Sequence, residues 1–237
     1  MSFHYSPNVP TSGLTLLLDS YNPKSYPGSG NTWYDVSGNG NDGTLVNFTG
    51  ASSSTTSGFN TTTKNMMFDR HVGSGDGVAN NYINVPPSTS LNQSMPLNGM
   101  SMVMWLRMDS YTCTALMRRT GVWEIYYCSS LVFRTMGTGG NDGNSGYSYT
   151  NQLNNFHSII ATHDGTTRKL YVNGVSKLSD TNSITAQSTA ASLGIGAYQG
   201  GNYAFQGALS YYSLYNRALD VNEVTHTHNV LKTRFGL

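Results

Sequence analysis

Charge is what this sequence has least of. Only 11% of its 237 residues are Asp, Glu, Lys or Arg, with 13 basic against 12 acidic groups and a formal net charge of +1. An ordinary soluble domain carries about a quarter. A nucleic-acid binder needs a clustered basic surface, and this balance argues against one. Glutamate occurs just twice, as Glu124 and Glu223. Proline, at 7, is too scarce for a proline-rich linker or a collagen. No apolar run approaches the roughly 18 residues that a membrane span requires. The start, Met1 to Pro10, has neither a basic cluster nor an apolar stretch and is not read as a secretory signal. The expectation is a chain made in a cytoplasm, or one already processed.

Cysteine is equally sparse. Cys113 and Cys128 can face each other across adjacent strands, but spacing does not supply the short separation that a bridge needs. A disulfide scaffold is excluded, and two free thiols are the expectation.

What is abundant points to β structure. There are 26 glycines and 16 tyrosines, and Ser, Thr and Asn together make up about a third of the chain. These displace Ala, Glu and Lys, the good helix formers. A hydrophobic share of 38% with 11% aromatic is enough for a core and disfavours disorder. The length suits one all-β domain.

The first twelve residues, with two prolines and no periodic pattern, read as an extended arm. Leu14 to Asp19 alternates as a half-buried strand. Residues 20–43 are dense in turns and long for a loop, which suggests a packed or functional segment. Residues 50–64 read as exposed loop or weak edge strand. Short strands are expected at 66–68 and 82–85, around a glycine-rich turn at 73–77. From Met100 to Met108, Met100, Met102, Met104, Leu106 and Met108 share one face, as core filler. Further strands are expected at 114–119, 122–127 and 131–136, before a second glycine-rich loop at 137–146. Asp164-Gly165 and Asn173-Gly174 mark two hairpin turns, linking strands at 156–162, 169–172 and 175–178. Strands at 192–197 and 208–215 follow. Asp220 with Glu223 is a capping box that opens a helix over about 221–233. About a dozen strands with regular turns predict an all-β, two-sheet antiparallel sandwich with a short C-terminal helix.

Four stretches carry a family likeness. They are Gly13 to Asp19 leading into Asn22 to Gly30; Thr32-Trp33-Tyr34-Asp35-Val36-Ser37-Gly38-Asn39-Gly40-Asn41-Asp42-Gly43-Thr44-Leu45; His163-Asp164-Gly165 through Leu170-Tyr171-Val172-Asn173-Gly174; and Phe205-Gln206-Gly207 through Leu214-Tyr215-Asn216-Arg217-Ala218-Leu219 to Glu223. With these the chain resembles the concanavalin A-like, laminin G-like jelly-roll domains, in particular stand-alone versions from tailed phages and marine bacteria. The resemblance runs from about 13 to 235 and implies a laminin G-like jelly-roll domain over 13–237, preceded by the arm at 1–12. It also implies a non-enzymatic virion surface protein, a capsid decoration or tail- or fibre-associated module. Such a protein would contact capsid or tail proteins, with the arm reaching a neighbour, and would form a homo-oligomer. A soluble, calcium-assisted, glycan-binding lectin outside the cell is the alternative, and a glucanase the lesser one.

The residues weigh on these readings. A glycosidase needs two carboxylates flanking the sugar bond, and the Glu-x-Asp-x-x-Glu type of cluster found in family glucanases is absent around Glu124. Glu223 is taken by the helix cap. No Gly-x-Ser-x-Gly elbow occurs. His226 and His228, two apart on a helix, point in different directions and make a poor metal clamp. Calcium takes six to eight oxygens, and the loops holding Asp35 and Asp42, Asp69 and Asp76, and Asn141 to Asn144 are rich in them. The same residues are what tight turns require, and the turn reading is favoured. For glycan or partner binding the candidates are Tyr147, Tyr149, Tyr198 and Tyr203, aromatic residues in or near glycine-rich loops. Trp33 and Tyr34 are expected to pack.

Overall fold

The computed structural model describes residues 8–48, 57–70, 80–94, 96–110, 112–136, 143–149, 153–182, 184, 191–198 and 200–236. Within them the chain runs β1 (Leu14–Asp19), β2 (Thr32–Trp33), β3 (Gly43–Val46), β4 (Gly58–Asn60), β5 (Asn65–Phe68) and β6 (Tyr82–Val85). It continues with β7 (Met100–Met108), β8 (Thr114–Arg119), β9 (Trp123–Tyr127), β10 (Leu131–Thr135), β11 (Gly143–Tyr147) and β12 (Phe156–His163). The last elements are β13 (Thr167–Val172), β14 (Val175–Thr181), β15 (Leu193–Ile195), β16 (Gly207–Tyr215) and helix α1 (Val221–Lys232), which ends in a 3-10 turn, Thr233–Phe235.

Two antiparallel sheets form the sandwich. One has the order β14-β13-β12-β7-β16-β5-β4, with β1 also paired to β16; the other runs β11-β10-β9-β8-β15-β6-β3-β2. The fold is the expected all-β jelly roll with one C-terminal helix. The methionine face of β7 is in the core between the sheets, together with Leu16, Leu18, Ile83, Trp123, Ile125, Phe133, Tyr212 and Leu214. The opposite face of β7 is covered too. Val103 and Trp105 join Tyr211, Tyr215, Leu219, Val224 and Leu231 in a second cluster beneath α1. Trp105 is stacked between His228, at 5.3 Å, and Phe235, at 4.6 Å.

Local chemistry fixes the connections. Asn173 and Gly174 both take positive φ, 51° and 75°, as a two-residue turn between Val172 and Val175 requires. The Asp164 carboxylate accepts from Thr166 N and Thr167 N and closes the preceding turn. At the helix, Asp220 caps Asn222 N and Glu223 N, Glu223 answers to Asp220 N, and Arg217 grips Glu223 with two bonds of 2.6 and 2.7 Å.

Several expectations need correction. Cys113 and Cys128 are not free thiols but a disulfide, with Cα atoms 4.2 Å apart. Thr114 lies opposite Tyr127 in the β8–β9 register, so the next pair outward is 113 and 128. That register is invisible in spacing alone. The second half of the 137–146 loop is strand β11, paired along its length with β10. Tyr34 is exposed, whereas Trp33 is fully buried. Residues 8–12, the described part of the N-terminal arm, lie along the domain. Val9 is buried in the helix-side cluster, Asn8 O accepts from His226 Nε2 at 2.6 Å, and Ser12 O accepts from Arg217 Nε at 2.9 Å. Residues 1–7, the glycine-rich turn at 73–77, and Asn141 and Asp142 lie outside the described residues.

Truncating Leu231 at the centre of the helix-side cluster (Leu231→Ala) should cost about 2–5 kcal/mol. Thr225→Ala, exposed on the same helix, should stay within about 0.5 kcal/mol. Urea unfolding of both variants checks this. A pH dependence also follows. His163 Nε2 donates to Asn182 O and Nδ1 accepts from Gly165 N, which satisfies the neutral ring. Burial lowers the pKa of His163, and burial with Lys232 nearby lowers that of His228. Both rings bind a proton more readily once unfolded. Their contribution is therefore complete above the unfolded value, about pH 6.5, and is lost as pH falls through the lower folded values. Unfolding free energies measured from neutral pH downward should show this decline, and His228→Gln should flatten it.

Candidate functional site

Alternation in β9 sends Trp123, Ile125 and Tyr127 into the core, and Glu124 and Tyr126 to the other face of the sheet. The register then aligns three charged residues in one row, because Arg118 pairs with Glu124 across β8–β9 and Glu124 pairs with Arg134 across β9–β10. The Glu124 carboxylate, almost completely buried, lies 3.2 Å from Arg134 Nη1 and 3.6 Å from Arg118 Nε. Opposite charges directly across strands reinforce the pairing of the sheet.

A loop after β15 closes over this row. The Tyr198 hydroxyl donates to Glu124 Oε2 at 3.0 Å, and the Arg118 guanidinium sits 4.0 Å from the centre of the Tyr198 ring. Burial first, and the Glu124 carboxylate second, push the Tyr198 phenol up to about 12, so at neutral pH it stays protonated and keeps donating. Tyr203 stands beside it, with ring centres 5.0 Å apart, and is 57% exposed. Its backbone has φ +53°, a region that bulky side chains rarely enter. Two bonds hold it there: Tyr203 O accepts from Ala115 N at 2.7 Å and from Thr114 Oγ1 at 3.2 Å. An exposed aromatic residue in a strained conformation is a feature that functional sites share.

Together these groups wall a cleft of 230 Å3, whose lining includes Glu124, Arg134, Tyr126, Tyr198 and Tyr203, with the Cys113–Cys128 bridge at one side. Glu124 is the one carboxylate among the described residues that line it. Its oxygens are engaged by two guanidinium groups and a phenol. The arrangement orients and holds polar groups, and it offers aromatic faces beside them.

The structure brings Tyr198 and Tyr203 together and places the other two tyrosines elsewhere. Tyr149 is buried, packed against Tyr127, Tyr147 and His157, so it belongs to the core and not to an open loop. Tyr147 is half-buried beside Lys177, at a shallow depression of 160 Å3 that Asn173 and Val175 also line. The carboxylates of Asp35 and Asp42 bond within their own loop and to β1. Asp35 accepts from Leu17 N, Ser37 N, Ser37 Oγ and Asn41 N, while Asp42 accepts from Asp35 N. Asp69 follows β5 and donates its backbone N–H to Asn81 Oδ1 at 3.2 Å. Asp76 lies outside the described residues. No group of three or more His, Cys, Asp or Glu side chains is gathered for a metal among the described residues.

Sequence reasoning missed Tyr126, Arg118 and Arg134, and considered Glu124 only as a catalytic acid. The alternation in Trp123-Glu124-Ile125-Tyr126-Tyr127 could have placed Glu124 and Tyr126 on one face. Their partners across the strands required the register.

Comparison with known proteins agrees with this architecture. No curated protein matches the sequence. Among solved structures, the receptor-binding domain of a botulinum neurotoxin C/D mosaic serotype is similar, with TM-score 0.63 and 10% identity over 93% of this chain and 52% of that one. The binding domain of Paraclostridial Mosquitocidal Protein 1 gives 0.60 and 18% over 92% and 52%. A structure of botulinum neurotoxin type C, which enters cells in dependence on two ganglioside molecules, gives 0.63 and 14% over 92% and 51%. The chain thus spans about half the length of these structures, and the likeness is one of fold. The family profile described as the concanavalin A-like lectin/glucanases superfamily, of the laminin G type, matches residues 75–225. The sandwich, its helix and that match together make this chain a member of the concanavalin A-like lectin/glucanase superfamily.

Proposed function

We propose that the chain is a non-enzymatic carbohydrate-binding module and that the Tyr198–Tyr203 cleft is its binding site. The observation that carries this reading is the exposed Tyr203 ring, held in a strained conformation beside Tyr198 above a floor of Glu124 and Arg134. A sugar presents apolar C–H faces and a rim of hydroxyls, and aromatic rings beside hydrogen-bonding groups meet both. The dependence of one similar fold on gangliosides supports the same use of the architecture. Hydrolysis would need a second carboxylate across the bond from Glu124, and the described lining offers none.

The setting we propose is a virion surface, where the module decorates a capsid or belongs to a tail or fibre, touches capsid or tail proteins, and assembles with copies of itself. The likeness of its sequence motifs to stand-alone phage domains supports this. An extracellular lectin is the alternative setting. Immunogold labelling of native particles would place the chain on a head, a tail or neither.

Glycan-array binding, with and without calcium, tests the module itself. Tyr203→Ala should weaken any hit by about tenfold, the scale of one aromatic contact with its bonds, and should leave the melting temperature nearly unchanged. An array without hits would remove the reading. So would release of reducing ends that Glu124→Gln abolishes.

A further inference from the structure

We infer that the protein has a second saccharide-binding cleft, at the edge of the sandwich formed by β2 and β4, and that it takes a short saccharide. It shares no residue with the Tyr198–Tyr203 cleft and does not depend on that reading. The two edge strands belong to different sheets, and Tyr26 bridges them. Its ring centre is 6.3 Å from that of Trp33 on β2 and 5.0 Å from that of Phe59 on β4. Over Tyr26 and Phe59 opens a cleft of 330 Å3, walled by the loop between β1 and β2 on one side and the β4–β5 turn on the other. Ligand pockets run from about 300 to 1,000 Å3, and this one lies at the small end. β2 stands five strands from β9 in their sheet, about 24 Å away.

The cleft is held in shape by its own bonds. Lys64 takes φ +57°, a region that side chains rarely enter. Lys64 N donates to Asn60 O at 2.7 Å, and the Ser20 hydroxyl donates to Lys64 O, which ties the turn to the opposite wall. The Tyr26 hydroxyl donates to Gly30 O at 2.9 Å and steadies the loop. Gly28 has φ +99°, and a β-carbon there would touch the Phe59 ring at 3.8 Å. The missing side chain keeps the space beside that ring open.

What the walls offer selects the occupant. Tyr26 and Phe59 are only 2% and 3% exposed, so they close the floor and present no ridges for the prolines of an extended peptide to straddle. The reachable rim is Ser29, Thr61 and Lys64, all exposed, together with Pro23, Pro27 and the half-buried Tyr21. The two hydroxyls both give and accept hydrogen bonds, and the Lys64 ammonium, 5.9 Å from the centre of the Phe59 ring, adds further donors. The hydroxyls of a sugar answer these groups, while its C–H face rests on the carbons of the prolines and of Tyr21. An apolar ligand would find few uncovered carbons and many polar groups to desolvate.

Nitrogen–proton correlation spectra of the full chain test this, in titrations with lactose, cellobiose, maltose and diacetylchitobiose, with glycerol and a hexaproline peptide as controls. At least one disaccharide should saturably shift the amides of Gly28, Ser29, Thr61 and Lys64. Ser29→Trp and Thr61→Trp, each filling the cleft from an exposed position, should weaken that binding about tenfold or more and keep the melting temperature. Amides of Ala115 and Tyr198 report on the other cleft in the same spectra. Shifts there with none at Gly28 and Thr61 would overturn the second cleft and leave the Tyr198–Tyr203 reading intact. Shifts at the second cleft alone would uphold it and move the binding site away from Tyr203. No shift from any of the four sugars at either place would overturn the second cleft, while the glycan array decides the first. Undiminished binding by both folded Trp variants would overturn it too, as would equal shifts from glycerol or saturable shifts from hexaproline alone.

Discussion

Strands β7 and β16 lie side by side in one sheet, and both faces of each are closed to solvent along nearly their whole length. A sheet buried on both faces must be covered twice. The second sheet covers the methionine side. The other side presents Trp105, Tyr211 and Tyr215, which cluster with Val224 and Leu231 of α1, while Phe235 of its final turn stacks on Trp105. The helix is therefore part of the sandwich. Its anchors make sense in that light: the capping box at Asp220 starts it at a fixed point, the Arg217–Glu223 pair ties that start to the end of β16, and Arg234 near its end bonds both oxygens of the buried Asp19. Even Val9 is drawn into this layer. Among the described residues no α-helix covers the outer face of the other sheet, and that is the face where the Tyr198–Tyr203 cleft forms.

How much of this could be read in the sequence depended on whether the signal was local. The alternation in Met100 to Met108 gives the strand and its core face, and Asn173-Gly174 and Asp220 with Glu223 give their turn and cap, because each is decided by residues a few positions apart. Strand β11 was lost to its glycines. It contains Gly143 and Gly146, which look like loop, and it is a strand because β10 offers it a partner. The disulfide, and the row Arg118, Glu124 and Arg134, fall in the same class. Each depends on which residue stands opposite which, and a shift of one position would send every side chain to the other face.

The tyrosines show the same division. Tyr198 and Tyr203 share a loop, so sequence proximity predicted their company. Tyr149 has loop-like neighbours in sequence, yet Tyr127 and His157 close over it. Aromatic content of a glycine-rich segment marks where a ring can be, and the packing of distant strands decides whether it meets solvent.

The scarcity of charge acquires a meaning at the cleft. In a highly charged surface, one extra guanidinium is averaged away by its neighbours within a Debye length, about 8 Å at physiological salt. Here charged side chains are few, so each one that is present keeps its field over a longer reach. Glu124 shows this from the other direction. A carboxylate this buried costs a great deal unless it is paired and hydrogen-bonded, and two arginines and a phenol supply that compensation. Supporting one buried carboxylate thus organises a whole row of side chains around it. Through that row Glu124 ties β8, β9 and β10 to the Tyr198 loop in one wall of the cleft.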